Sequence, residues 1–485
     1  MSDTENDGTV SLFRRRIDQS EIDLYRQILT GPDNRPEFHL VMRAGDDDAA
    51  VVRCRATLAS LAEQVYGEWT LHLVTRYRDA DFGELIARLR DGTDNVRDLR
   101  QFMSRRLDDR SGFLARVLEG FEGLADRVRP MPRGGDDGFA RFGTAGGNPI
   151  RSPLIAVLRA GDELSADALA ELAVSAGLYP DAEFFYADEE RPNCASGAVE
   201  AFCKPQWSPD LLLSTNYIGR LWCATGGLLA RIGATVGELL RHGEYDLVLR
   251  CTEAAHAVQH IPAVLCRRGV DPLDSSEIEQ RALARALDRR GIDGEIEAGG
   301  SPGVYRVKRR VTVGRRVSVI IPTHGARGLI KTSLDTLRRL TDYNDMEIIA
   351  VDDLPGTERA AKAWLRAHAD KVIDGEVPFN WARHNNRAAK EAAGEFLLFL
   401  NDDVEIIEPG WLAAMLEHAA RPEIGVVGPL LLYPDGTVQH AGMFLMAIGH
   451  ARHAFRHQRR DAPAYFGLAQ TQREVTAVTG ACLLT

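Results

Sequence analysis

Short apolar runs recur along the chain, each the length of one strand and each followed by a polar turn or a helix-length stretch. Phe38-His-Leu-Val-Met-Arg-Ala-Gly and Val317-Ser-Val-Ile-Ile-Pro-Thr-His both run from an apolar strand into a turn. Behind them, Leu58 with Leu61 and Leu334 with Leu337 mark one face of a helix. Tyr66–Thr75 and Tyr343–Asp352 each read as a turn and a second strand, and Leu154–Arg159 and Phe396–Asn401 as a third, buried strand. Leu221–Leu229 and Val475–Leu483 close the two series, matched on a Thr-Gly pair. The same parts in the same order make a weak two-fold repeat. Strand-like runs alternating with helical ones predict an α/β fold, a parallel sheet with helices on both faces, and ligands at the carboxyl ends of its strands.

Two stretches interrupt the repeat. Asp91–Gly147 reads as an insertion in the first copy, charge-rich and helical and then Gly-rich, with no counterpart in the second. Asp271–Val313 reads as a connector holding a short helix, Glu277–Arg290, and a basic strand, Tyr305–Val313, with a boundary near Gly314. The expected division is an extension over 1–36, a first domain over 37–270, a connector over 271–314 and a second domain over 315–485.

Composition narrows the class. A chain of 485 residues exceeds one compact core, and 45% hydrophobic with 27% charged residues is ordinary for a globular protein. The net charge of -11 argues against a nucleic-acid coat protein. Met1–Val10 is acidic and polar, unlike a secretory signal, and apolar runs such as Phe396–Leu400 and Leu430–Tyr433 fall far short of a membrane span. The seven cysteines are dispersed without metal-ligand spacing, which reads as reduced thiols in a cytoplasmic protein.

Candidate chemistry gathers at strand ends of the second copy: Asp352-Asp353 after one strand and Asn401-Asp402-Asp403 after another. One or two carboxylates in such a place suit Mg²⁺ or Mn²⁺, which prefer oxygen ligands and leave room for phosphate. An acidic turn or a helix cap is the plain structural alternative. Between the two acidic ends lies Phe379-Asn-Trp-Ala-Arg-His-Asn-Asn-Arg-Ala388, and then Ala392-Ala-Gly-Glu-Phe396. Pro409-Gly-Trp-Leu412 and Tyr433-Pro-Asp-Gly-Thr-Val-Gln-His-Ala-Gly442 follow. Taken in order from Val317, these motifs resemble those of family 2 glycosyltransferases of the GT-A fold.

That resemblance implies roles. Pro322, Thr323, Asp352, Asp353, Asn386, Arg387 and Asp402 would bind a nucleotide sugar, and Asp403 would ligate the divalent metal, Mg²⁺ or Mn²⁺. Asp353 stands where relatives often have Asn, and His440 lies in a family motif without a derivable role. The first half resembles the same family through Phe202-Cys-Lys-Pro-Gln-Trp-Ser-Pro-Asp-Leu-Leu-Leu-Ser-Thr-Asn-Tyr-Ile-Gly219, Tyr186–Glu190 and Gly243–Arg250. It departs by placing Thr75-Arg76 at the nucleotide-side acids and Arg159-Ala160-Gly161, followed by Asp162, at the metal triplet. The expectation is a degenerate domain kept for structure or acceptor binding, an Arg clamp on phosphate being the alternative.

An inverting transfer also needs a carboxylate base. Glu244 and Asp246 are the candidates in the first domain; in the second, the base is expected beyond Thr485, which makes that domain incomplete. The whole reading is two tandem GT-A (nucleotide-diphospho-sugar transferase, Rossmann-like) domains. They would move a sugar by inversion from a UDP-, dTDP- or GDP-linked donor to a glycan or lipid-linked acceptor in surface polysaccharide synthesis. No nucleic-acid partner is expected, and the expected place is the cytoplasm, with peripheral association with the inner membrane. A catalytically incomplete sugar-nucleotide or glycan-binding protein is the alternative. The basic run His450–Arg460 suits donor phosphates, an anionic lipid or a membrane surface, or is a solvated loop. Trp207, Trp222 and Trp411 suit sugar stacking or core packing, and the cluster Arg14–Arg16 is too short to assign.

Overall fold

The computed structural model describes all residues except 1–12, 14–16, 31–34, 45–47, 76–115, 133–138, 143–151, 193–197, 270–274, 311–314, 326–327, 447–448 and 463–464. The readings of Met1–Val10, Arg14–Arg16 and Arg76, and of most of the Asp91–Gly147 insertion, lie outside the described residues. The chain forms two compact units, Met1–Arg290 and Gly291–Thr485, each with its own mixed α/β sheet.

In the first unit the strands are β1 (Phe38–Arg43), β2 (Trp69–Thr75), β3 (Val128–Pro132), β4 (Leu154–Arg159), β5 (Glu163–Leu164), β6 (Phe184–Pro192), β7 (Val199–Phe202), β8 (Trp222–Thr225) and β9 (Val258–Arg267). They run β3-β2-β1-β4-β8-β6-β9-β5, with β7 on β6. The first four are mutually parallel and β8 is antiparallel to its neighbours. The helices Asp48–Ala62 and Ala168–Leu178 supply Leu58, Leu61, Leu169 and Leu172 to a core built on Leu40, Leu71 and Leu158.

The second unit begins with a hairpin, β10 (Gly294–Ala298) and β11 (Tyr305–Arg309). Its sheet contains β12 (Val317–Thr323), β13 (Met346–Asp352), β14 (Lys371–Asp374), β15 (Phe396–Leu400) and the last strand, β20 (Cys482–Leu484), in the order β14-β13-β12-β15-β20. Between β15 and β20 lie two small hairpins, β16 (Leu431–Leu432) with β17 (Val438–His440) and β18 (Met443–Leu445) with β19 (Ala451–His453). Alternate side chains of β12 enter opposite cores. Val317, Val319 and Ile321 pack with Leu334, Leu337, Leu412 and Leu416, and Ile320 packs with Ile349, Val351 and Ala388. This is why the strands are near-continuous apolar runs: both faces are covered.

The two sheets share a register. Phe38 lies opposite Trp69 and Leu154, and Val317 lies opposite Met346 and Phe396. Three expectations are corrected by the strand pairing. Neither sheet is all parallel, because β8 and β20 run against β4 and β15. The stretch 91–147 is not wholly without a counterpart, since Val128–Pro132 flanks β2 as Lys371–Asp374 flanks β13. The closing Thr-Gly match is also shifted. Ala156 and Leu398 hold equivalent places, and their partners are Cys223 and Leu484, so Gly480 corresponds to Gly219 rather than to Gly226. The Thr-Gly pairs are alike only locally, whereas ladder register is fixed by which side chains face each core.

The connector residues divide between the units. The helix Ser276–Arg290 binds the first through Arg285 and Arg289 to Asp246, and through Arg289 and Arg290 to Glu253. The hairpin β10–β11 belongs to the second, where Arg306 meets the buried Glu417 at 3.0 Å. In the motif around Gly394 the glycine has a steric cause: a Cβ there would stand 2.6 Å from the Ser318 backbone nitrogen. Its own N–H donates to Ser318 Oγ at 2.8 Å, which locks the turn onto β12.

Candidate functional site

In the second unit the ends of β12, β13 and β15 converge. Pro322 and Thr323 end β12, and Thr323 Oγ1 donates to Asp402 Oδ2 at 2.6 Å. The Asp353 N–H donates to the Thr323 carbonyl at 2.9 Å, joining the end of β13 to that of β12. The Asn401 N–H donates to the Ala481 carbonyl at 2.9 Å, which ties in the segment leading to β20. Trp381 closes the group from the helix Trp381–Ala389. Its Nε1 donates to Asn401 Oδ1 at 3.3 Å, and its ring would block a Cβ at Gly480 at 3.1 Å. Asn380 caps this helix by accepting from the Arg383 N–H at 2.9 Å, so the Phe-Asn pair of the motif sets where the helix starts.

The acids at this edge are placed unequally. Asp352 is buried, and its carboxylate accepts from Lys362 Nζ at 2.9 Å and 3.0 Å and from the Leu354 N–H at 3.0 Å. Asp353 and Asp402 are half-buried. Asp403 is exposed, and its carboxylate makes no hydrogen bond or ion pair among the described residues. Asn386 and Arg387 lie on the exposed side of their helix; Arg387 faces Glu376 at 3.4 Å and is not bonded to the strand-end group. The structure thus joins Thr323, Asp353, Asn401 and Asp402 and turns Asp352 inward. Lys362 and Trp381 were missed as site residues. Lys362 carries no local signal because it sits on a separate helix, Arg359–His368, and Trp381 directly follows the Asn380 cap, so that its contact with Asn401 appears only in three dimensions.

The donor set fits a divalent cation of the Mg²⁺ or Mn²⁺ kind. Among the described residues no group of three or more His, Cys, Asp or Glu side chains forms a ready-made cage. A single unpaired carboxylate at a strand end is what a phosphate-sharing ion needs, since the phosphates and waters complete its oxygen shell.

The corresponding edge of the first unit is filled by its own counter-charges. Arg220 is buried and binds Asp162 Oδ2 through Nε at 2.9 Å and Glu244 Oε2 through Nη1 at 3.0 Å. Glu244 also accepts from Arg159 Nε at 3.3 Å and from Trp222 Nε1 at 2.8 Å. Lys204 reaches Glu189 at 3.5 Å and donates to the carbonyls of Ala187, Ile218 and Arg220. Burial alone would raise the Glu189 carboxyl, but Lys204, Arg191 and Arg268 with the Arg220 N–H hold it below the usual range. Asp246 is buried against Arg285 at 3.0 Å. Neither Glu244 nor Asp246, the two sequence-selected acids, presents a free carboxylate, and Arg159 is spent on Glu244.

Beside the second unit's sheet, His440 is buried with its Nδ1 3.1 Å from His453 Nδ1 and no partner on Nε2. Burial, and then the charges of His453 and Arg473, push it down to about 4. A histidine depressed in the folded state is stabilising above its unfolded value near 6.5, and that stability drains as pH falls toward the folded value. The wild type should therefore lose more stability than His440→Gln between about pH 7 and pH 4.5, measured by denaturant midpoints. Equal losses would show that His440 is protonated without penalty.

In an open α/β sheet of this kind ligands bind at the carboxyl ends of the strands. Residues 318–474 match the model described as Glycosyl transferase family 2, and the second unit is a glycosyl transferase family 2 domain. The O-antigen biosynthesis protein RfbC of Myxococcus xanthus is 32% identical over 93% of this chain and 34% of its own. The chain thus spans about a third of that relative's length. A Campylobacter jejuni protein named GalNAc(5)-diNAcBac-PP-undecaprenol beta-1,3-glucosyltransferase is 26% identical over 25% of this chain and 40% of its own. Among solved structures, a mannosyltransferase of Pyrobaculum calidifontis in complex with GDP-Man and Mn²⁺ is 24% identical over 31% of this chain and 42% of its own, with a TM-score of 0.23.

Proposed function

We propose that this chain is a glycosyltransferase of surface polysaccharide synthesis that uses a nucleotide-diphosphate sugar at its second unit. The observation that carries this reading is the linked group Thr323–Asp402, Asp353 and Trp381–Asn401 at the strand ends, with Asp403 left open beside it. Pro322, Thr323 and Asp353 would line the nucleotide, and Asp352, fixed by Lys362, would hold the β13 end in place. Asn386 and Arg387 would approach the donor from their helix. Asp403 would hold Mg²⁺ or Mn²⁺, with Asp402 kept in line by the Thr323 hydroxyl. The ion supplies positive charge to the leaving diphosphate.

In this reading the two sheets are copies of one GT-A domain, and the first is kept for structure or for the acceptor rather than for a donor. The acceptor is a glycan or a lipid-linked glycan, the sugar is transferred with inversion, and the protein works at the inner face of the membrane. A second reading, a sugar-nucleotide or glycan-binding protein, is favoured by one observation: Glu244 and Asp246 are consumed by ion pairs. Incubation with radiolabelled UDP-, dTDP- and GDP-sugars and a lipid-linked glycan separates the two. Metal-dependent transfer is expected; metal-dependent nucleotide binding without transfer would instead establish the binding protein.

A further inference from the structure

The hairpin β18–β19 combines exposed apolar side chains with Arg452 and no carboxylate. Phe444, Leu445 and Met446 are consecutive and exposed, Leu445 at 63%. Opposite them, Phe444 pairs with Arg452 and Leu445 with Ala451, while the Met446 N–H donates to the His450 carbonyl at 2.8 Å. Directly opposite residues share a face, so Phe444 and Arg452 stand together on one side and Leu445 and Ala451 on the other. Large apolar side chains exposed on both faces of a two-stranded ribbon mark an interaction site rather than ordinary surface.

The charge decides what the site meets. No acidic residue occurs between Asp435 and Asp461, although the chain as a whole is at -11. Arg459 is paired with Asp461 at 2.7 Å and Arg460 with Glu408 at 4.0 Å, and Arg456 is bonded to the Tyr433 hydroxyl at 2.7 Å. His450 and Arg452 are exposed on the hairpin itself. An apolar ribbon that carries Arg452 and no carboxylate matches the interface of an anionic bilayer, where aromatic and aliphatic groups enter the headgroup layer and Arg meets lipid phosphate. Among the described residues no helix is long and apolar enough to cross a membrane, so attachment through this hairpin would be peripheral.

We propose that the β18–β19 hairpin docks this protein onto an anionic lipid surface, with Phe444, Leu445 and Met446 in the headgroup layer and Arg452 on the phosphates. The proposal goes beyond the glycosyltransferase reading, and vesicle binding without donor or acceptor tests it separately from transfer. The full chain is to be cosedimented with vesicles of phosphatidylcholine alone, or with about a third phosphatidylglycerol. Binding to the anionic vesicles only, weakened by salt, is expected. The pair His450→Glu with Arg452→Glu should weaken partitioning by about tenfold or more. The pair Phe444→Ser with Leu445→Ser should weaken it while leaving the salt dependence in place. All four positions are exposed, so unchanged thermal midpoints should accompany the losses. Equal binding to neutral vesicles, no binding to either, or variants that bind like the parent would overturn the proposal. So would an oligomer dispersed by the serine pair, because a second copy would then be the occupant.

Discussion

Replacing Asp403 by alanine should abolish metal-dependent binding of a nucleoside diphosphate and, with it, sugar transfer. Asp403 is exposed and its carboxylate is unengaged among the described residues, so the substitution costs the fold little, within about half a kcal/mol. Its neighbour Asp402 is already committed to the Thr323 hydroxyl at 2.6 Å, and Asp352 to Lys362 at 2.9 Å. Asp352 is turned inward by Lys362, and Asp402, oriented by the Thr323 hydroxyl, would hold the ion alone and therefore more weakly. A divalent ion that neutralises diphosphate contributes several kcal/mol, so a fall of roughly a hundredfold or more in Mn²⁺-dependent affinity is expected by calorimetry. Retained affinity would move the metal away from the end of β15.

The largest expected effect on stability lies in the first unit. Arg220→Ala removes the cation shared by Asp162 and Glu244 and leaves both carboxylates buried without it. Breaking one partner out of a buried network costs about 3–5 kcal/mol, since the remaining charges keep their desolvation penalty. A fall of on the order of 10 °C in the unfolding midpoint is expected for a unit of this size. Glu244→Gln should be milder, because the amide oxygen still accepts from Trp222 Nε1. If instead Glu244→Gln leaves the midpoint unchanged and removes transfer, Glu244 is the base and the first unit is catalytic.

The sequence carried the strands well. Phe38–Arg43, Leu154–Arg159, Val317–Thr323 and Phe396–Leu400 are legible because burial on both faces leaves unbroken apolar runs. Strand direction was less legible: Cys482–Leu484 and Trp222–Thr225 look like their parallel neighbours, since an apolar run carries no mark of its sense. Val128–Pro132 was hidden by the charged stretch around it and by two prolines, Pro130 and Pro132, which suit an edge strand.

Of the site, the acids could be found but their states could not. Nothing local distinguishes the inward Asp352 and the tethered Asp402 from the open Asp403, because Lys362 and Thr323, which hold the first two, come from other elements. Likewise Glu244 and Asp246 read as free acids at a helix start until Arg159, Arg220 and Arg285 converge on them. Ion-pair partners far apart in sequence are the information a single chain pattern lacks.

The central claim is that the donor site belongs to the second unit alone. It is tested most directly by a crystal structure of the chain soaked with Mn²⁺ and a nucleoside diphosphate, with the ion located from its anomalous signal. The account predicts one ion against Asp403, the diphosphate beside Thr323 and Asp353, and the Arg220–Glu244–Asp162 network intact. An ion or diphosphate at the Arg159–Asp162 edge of the first unit, with Asp403 bare, would contradict it.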